Sequence, residues 1–174
     1  MEPYIHPCLL LHHDSAKGRG FIAKNQIPSD TVVIEEPLHP LLTFVENPSV
    51  QVMLDTVKRM IDHTNRFDDF CKFSPSQLDN YCISKNMLTT LLLKHNVYYR
   101  HFKHNLDTVR LLYSKYMRNS FSIKRFNDTN KTGSTILFVG TFLNHSCCYN
   151  IKFHLDEARQ VMVFTTTRPI NAGE

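Results

Sequence analysis

The chain has 174 residues, 42% apolar and 11% aromatic, with 20 Lys and Arg against 16 Asp and Glu for a net charge of +4. That length suits one packed domain and leaves little room for two, and its scattered basic residues, with no run of five or more, argue against direct nucleic-acid binding. No apolar stretch approaches the roughly 18 to 20 residues of a membrane span, and the opening MEPYIHPCLLLHHD lacks the basic start of a signal peptide. No membrane partner is expected, and the location is expected to be intracellular, in nucleus or cytoplasm.

Residues 8–35 read as short extended segments, CLLLHH, GFIAK and TVVIEE, separated by DSAKGRG and NQIPSD. β-Branched and aromatic residues between turn residues predict a small antiparallel sheet. Near residue 47 the pattern changes. Asn47-Pro48 has the form of an N-cap followed by proline at the first helical position, and Val50, Met53, Leu54, Val57, Met60 and Ile61 then recur at helical spacing. Ser74-Pro75-Ser76-Gln77 has the spacing of a capping box and predicts a second helix carrying Leu78, Cys82, Met87, Leu91 and Leu92. A third helix is predicted from about Asn105, with Leu106, Val109, Leu112, Tyr113, Tyr116 and Met117. Strand patterns return in FSIKRF, STILFVGTF, IKFHL and QVMVFTTT, the last two reading as a hairpin across Asp156-Glu157-Ala158-Arg159. The expected organisation is one domain over 1–174, with a β part at 8–46, a helical insert at 47–118 and a second β part at 119–174.

The chemistry concentrates in NHSCCYN, residues 144–150, just after the apolar run TILFVGTFL. By itself this is a tight turn with thiols as small apolar fillers. The five cysteines are an odd number, and Cys147 and Cys148 are adjacent, so reduced thiols are expected and a secreted disulfide framework is not. A cysteine nucleophile paired with one of the ten histidines is disfavoured: His145 is very close in sequence, and no glycine turn of the oxyanion-hole type precedes the thiols.

Three segments in order, AKGRGFIAKNQIPSDTVVIEEPL, YMRNSFSI and FLNHSCCYN followed by a hairpin and TTTRPINAGE, resemble the SET-domain protein lysine methyltransferases. The likeness is nearest to the branch whose members usually carry a MYND zinc finger, and it covers roughly residues 8–38 and 117–174. It implies a mainly β fold with an α insertion, a SET-type β-clip of small antiparallel sheets with a three-helix insert.

The resemblance further implies S-adenosyl-L-methionine as cofactor and a lysine-containing protein as substrate. Lys17, Gly18, Arg19 and Gly20 match the family's glycine turn, whose main chain contacts the methionine part of the cofactor. Glycines there permit close approach and positive φ. Asn119 matches a cofactor-contacting asparagine, although by position it also reads as a helix C-terminal residue. Asn144 and His145 match the pair that grips the amino and adenine ends. Ser146 and Cys147 shape the turn, Asn150 anchors the next strand, and Tyr149 replaces the family's proline, where packing is its expected role.

Methyl transfer needs a neutral lysine. With an unperturbed pKa near 10.4, deprotonation at pH 7 costs about 4.6 kcal/mol, which an apolar channel lowers by desolvating the charged form. The resemblance places the catalytic tyrosine just beyond the Gly173-Glu174 turn. No residue among the 174 is therefore assigned as catalytic, and the expectation is a chain that stops before its final catalytic strand, poorly active or inactive alone. The MYND finger is not matched, and the downstream cysteines that would join Cys147 around zinc are not among these residues, so no metal is expected. The alternative is a non-catalytic SET-like interaction module that retains cofactor affinity.

Overall fold

A computed structural model describes residues 2–14, 18–44, 49–63, 65–73, 75–80, 82–94, 105–125 and 128–174. Internal contacts divide the chain into two compact units, one formed by 1–39, 123–130 and 137–174 and the other by 40–122 and 131–136. Among the described residues no helix is long and apolar enough to cross a membrane.

In the first unit β2 (Leu9–Asp14) and β3 (Gly18–Ala23) form an antiparallel hairpin, from Leu9 opposite Ala23 to Asp14 opposite Gly18. The third segment does not extend it. β4 (Val32–Pro37) instead lies inside a sheet of order β1-β4-β9-β8, between β1 (Tyr4–Ile5) and β9 (Val161–Thr166), with β8 (Ile151–Asp156) at the edge. The single sheet predicted for residues 8–35 is thus divided between two. The burial of β4 fits an interior place: Val33 and Ile34 are both fully buried, and the strand pairs with β1 at Tyr4–Glu35 and with β9 at Ile34–Phe164, with a register shift between Val32 and Ile34. The β8–β9 hairpin closes at residues 157–160, with the Arg159 amide donating to Asp156 Oδ1 at 3.0 Å.

The last residues fold back on the end of β3. Ala23 donates to the Glu174 carbonyl at 2.9 Å, Gly173 donates to the Ala23 carbonyl at 2.7 Å, and Ile27 and Ile170 pair beside them. The Glu174 carboxylate accepts from Arg168, from Asn150 Nδ2 at 3.3 Å and from the Asn171 amide at 3.3 Å. Arg168, followed by the Asn171 amide, holds the Glu174 carboxyl down at about 2. A lowered folded pKa stabilises this turn above the unfolded value and loses that contribution as pH falls from about 4.5 toward 2. Because the pair is exposed, the contribution to stability is small and the titration itself is the better readout. In a carboxyl-carbon NMR titration Glu174 is expected to have a midpoint near 2, rising toward the ordinary value of about 4.3 in R168M. An unshifted midpoint in the unaltered chain would show that the clamp does not form.

The second unit is mainly helical, with β5 (Thr43–Phe44), α1 (Val50–His63), α2 (Phe67–Cys71), α3 (Lys85–Leu93), α4 (Leu106–Asn119) and the start of β6 (Ser120–Arg125). Its core gathers Val52, Met53, Met60, Phe70, Leu88, Leu92, Val109 and Tyr116. The predicted cap pair Asn47-Pro48 lies outside the described residues, and Ser49 caps α1, its Oγ accepting from the Val52 amide at 3.2 Å. α2 was not anticipated.

The helix predicted from Ser74 begins instead at Lys85, where the Ser84 hydroxyl accepts from the Met87 amide at 3.2 Å. Ser74 itself is outside the described residues. The cause is tertiary. A helix starting at residue 75 would send the Asp79 amide to the Pro75 carbonyl. Here Asp79 N–H points at Cys82 Sγ (3.4 Å), while the Pro75 carbonyl accepts from Lys115 Nζ at 2.6 Å. Lys115 also donates to the Phe73 carbonyl, Arg118 grips Asp79 with both terminal nitrogens at 2.9 Å, and Arg110 Nε donates to the Ile83 carbonyl at 2.6 Å. Cations of α4 thus hold Phe73, Pro75, Asp79 and Ile83 as points of a strap.

Candidate functional site

The predicted strand STILFVGTF is interrupted. β7 (Asp128–Ile136) ends at Ile136, and Gly140–Phe142 form a 3-10 helix. A continuing strand would offer the amides of Phe138, Val139 and Gly140 to a neighbouring strand. They are instead taken by the carboxylate of Glu36, reaching over from β4. The chain therefore turns, and NHSCCYN follows as an exposed loop running to β8.

This turn brings two of the sequence's motifs together. A Cβ on Gly20 would lie 2.4 Å from Asn144 Nδ2 and 3.5 Å from the Phe142 carbonyl. No side chain fits there while Asn144 stays in place, so the glycine is required by close approach. Gly18 is glycine for another reason: its φ is +77°, and nothing lies near its missing Cβ. Between them Arg19 places its guanidinium 5.2 Å from the centre of the Phe142 ring, and Phe21 meets the same ring edge-on at 6.2 Å. Phe142 thus packs against the glycine turn; no local sequence signal singled it out.

Asn144 and His145 are exposed. His145 Nε2 lies 3.6 Å from Cys147 Sγ, a weak contact at the surface. Tyr149 does not pack as expected. It is 63% exposed, since the loop is fixed through its backbone, with the Tyr149 carbonyl accepting from Thr167 Oγ1 at 3.1 Å and the Asn150 carbonyl from the Thr167 amide at 2.8 Å.

Lys17 lies outside the described residues. Asn119 belongs to the helical unit as the last residue of α4, where its Nδ2 donates to the Lys115 carbonyl at 2.7 Å. The cysteines are free thiols, and among the described residues no three His, Cys, Asp or Glu side chains gather around a possible metal position.

The SET domain family model matches residues 18–174. The chain belongs to the SET domain family. The match starts at the glycine turn and includes NHSCCYN, the segments that Gly20 and Asn144 join in space. A SET domain-containing protein of Acanthamoeba polyphaga mimivirus, L678, is 32% identical over 166 residues, which are 91% of this chain and 61% of that protein. The chain thus spans about three-fifths of this relative's length. Among solved structures, the Cryptosporidium protein CpSET8 is 16% identical over 97% of this chain and 55% of its own, with a TM-score of 0.47. The SET domain of LSMT, solved with lysine and AdoHcy, is 14% identical over 96% of this chain and 47% of its own, with a TM-score of 0.49. Small antiparallel sheets with a few helices are the SET fold, as the sequence predicted.

Proposed function

We propose that this SET domain binds S-adenosyl-L-methionine and belongs to a protein lysine methyltransferase, nearest to the MYND-associated branch. The observation that carries the reading is the close packing of Gly20 on Asn144, which joins the two cofactor motifs of the family in one place. In this reading the backbone of Gly18, Arg19 and Gly20, together with Lys17, borders the methionine part of the cofactor. Asn144 and His145 hold its amino and adenine ends. The cofactor supplies an electrophilic methyl, and the protein's part is to align it with a neutral lysine amine, a positioning effect that supplies roughly 7 to 11 kcal/mol of such barriers. The chain is therefore proposed to bind the cofactor through these residues.

Calorimetric titration of S-adenosylmethionine into the chain and into the double variant N144A/H145A tests this. Binding by the first and at least about tenfold weaker binding by the second is expected, a difference of about 1.4 kcal/mol or more. Equal affinity, or no binding by either, overturns the assignment of the site. A non-catalytic module that keeps cofactor affinity is the second reading. Methyl transfer to lysine peptides by the chain would exclude it.

A further inference from the structure

We infer that Glu36 is a positioning residue for the cofactor site, its carboxylate setting the backbone turn that presents Asn144 to Gly20. The inference rests on the cofactor reading of Asn144 given above. Glu36 is 6% exposed and stands on β4, a central strand of the four-stranded sheet, so its carboxylate is anchored on a rigid element. Oε1 accepts from the Phe138 amide at 2.5 Å and from Val139 at 3.1 Å, while Oε2 accepts from Val139 at 3.0 Å and from Gly140 at 2.8 Å. Consecutive amides turned to one side form a concave anion site. Here the anion comes from the chain itself.

The opposite side of the turn is closed by packing. A Cβ on Gly140 would lie 2.6 Å from Phe164 Cζ and 3.2 Å from Leu137 Cδ1, so the backbone is pressed between the core and the carboxylate. From this fixed point the 3-10 bonds Phe142 N to Val139 O and Leu143 N to Gly140 O, both 3.0 Å, carry the chain to Phe142. Phe142 packs against Arg19 and Phe21, and Asn144 follows two residues later against Gly20. A carboxylate suits this role because both of its oxygens are acceptors. A glutamine would present one NH₂ donor to amides that are themselves donors, leaving part of the cluster unsatisfied in a buried place.

The test compares the unaltered chain with E36Q and E36D by amide hydrogen exchange and by S-adenosylmethionine calorimetry. In the unaltered chain the amides of Phe138, Val139 and Gly140 are expected to exchange as slowly as those of Val163 and Phe164 in β9. In E36Q they exchange about tenfold faster or more while the β9 amides keep their protection, and the cofactor dissociation constant rises by about tenfold. E36D, which keeps the charge on a side chain one methylene shorter, restores part of both effects; a residue that merely filled the core would not discriminate in this way. Unchanged exchange at 138–140 in E36Q, or unchanged affinity despite faster exchange there, overturns the inference. Should E36Q fail to fold, fast exchange of Phe138–Gly140 in the folded unaltered chain overturns it as well. Absence of cofactor binding by the unaltered chain overturns the functional reading itself and is seen before any variant is compared.

Discussion

Replacing Gly20 with alanine is expected to abolish most cofactor binding while leaving the melting temperature unchanged or slightly raised. The added Cβ would sit 2.4 Å from Asn144 Nδ2, an impossible contact. The other near atoms, Asn144 Cγ at 3.4 Å and the Phe142 carbonyl at 3.5 Å, are at ordinary separations, so only the tip of Asn144 has to move. That tip is exposed and swings away at little cost. The backbone of Gly20 lies in β3 outside the left-handed region, so alanine also lowers the entropy of the unfolded chain, worth about 0.4–1 kcal/mol in favour of folding. Affinity and stability therefore move independently. A loss of tenfold or more in S-adenosylmethionine affinity, about 1.4 kcal/mol, with an unshifted thermal melt is the expected pair of results. A chain that binds the cofactor normally with alanine at 20 would show that the position of Asn144 beside Gly20 has no part in binding. G18A behaves differently: with no contact to disturb, its cost is backbone strain of about 1–2 kcal/mol at positive φ, seen in the melt.

The second large effect belongs to the helical unit. Lys115 is 3% exposed, and its ammonium donates to the carbonyls of Phe73 and Pro75, both on the strap that crosses α4. K115M keeps the length and apolar stem of the side chain and removes only the charged donor. It is expected to destabilise the chain by about 2–6 kcal/mol, from about 1–3 kcal/mol for each of the two buried acceptors deprived of its donor. Urea denaturation followed by circular dichroism measures it. The competing physical outcome is well defined, because a buried ion replaced by an apolar group of similar shape is often neutral or stabilising. A K115M chain as stable as the parent would mean that the strap is held by packing and by Arg110 and Arg118, not by the lysine.

The comparison of these two sites explains why some features were legible in the sequence and others were not. Alone, GRG reads as a loop and NHSCCYN as a tight turn; their order along the chain, with YMRNSFSI between them, made the family legible. Glu36 was visible only as part of an acidic pair before Pro37, since nothing local says which carboxylate of a strand turns inward toward amides a hundred residues away. Phe142 looked like one more apolar residue in TILFVGTFL, and its contacts with Arg19 and Phe21 come from elements far apart in sequence.

The same distinction separates the helices. α1 and α4 carry their apolar periodicity over 14 residues each, enough for local pattern to reveal them. The capping-box reading at Ser74 failed because a four-residue signal was outweighed by Lys115, Arg118 and Arg110, whose bonds hold the strap out of helical geometry. By itself the sequence determined most of the strands, the two long helices, the two motifs and the family. Only the tertiary structure decided which sheet β4 enters, where the run after β7 breaks, and that Gly20 meets Asn144. Those outcomes depend on hydrogen bonds and steric contacts between residues distant along the chain, which no local periodicity encodes.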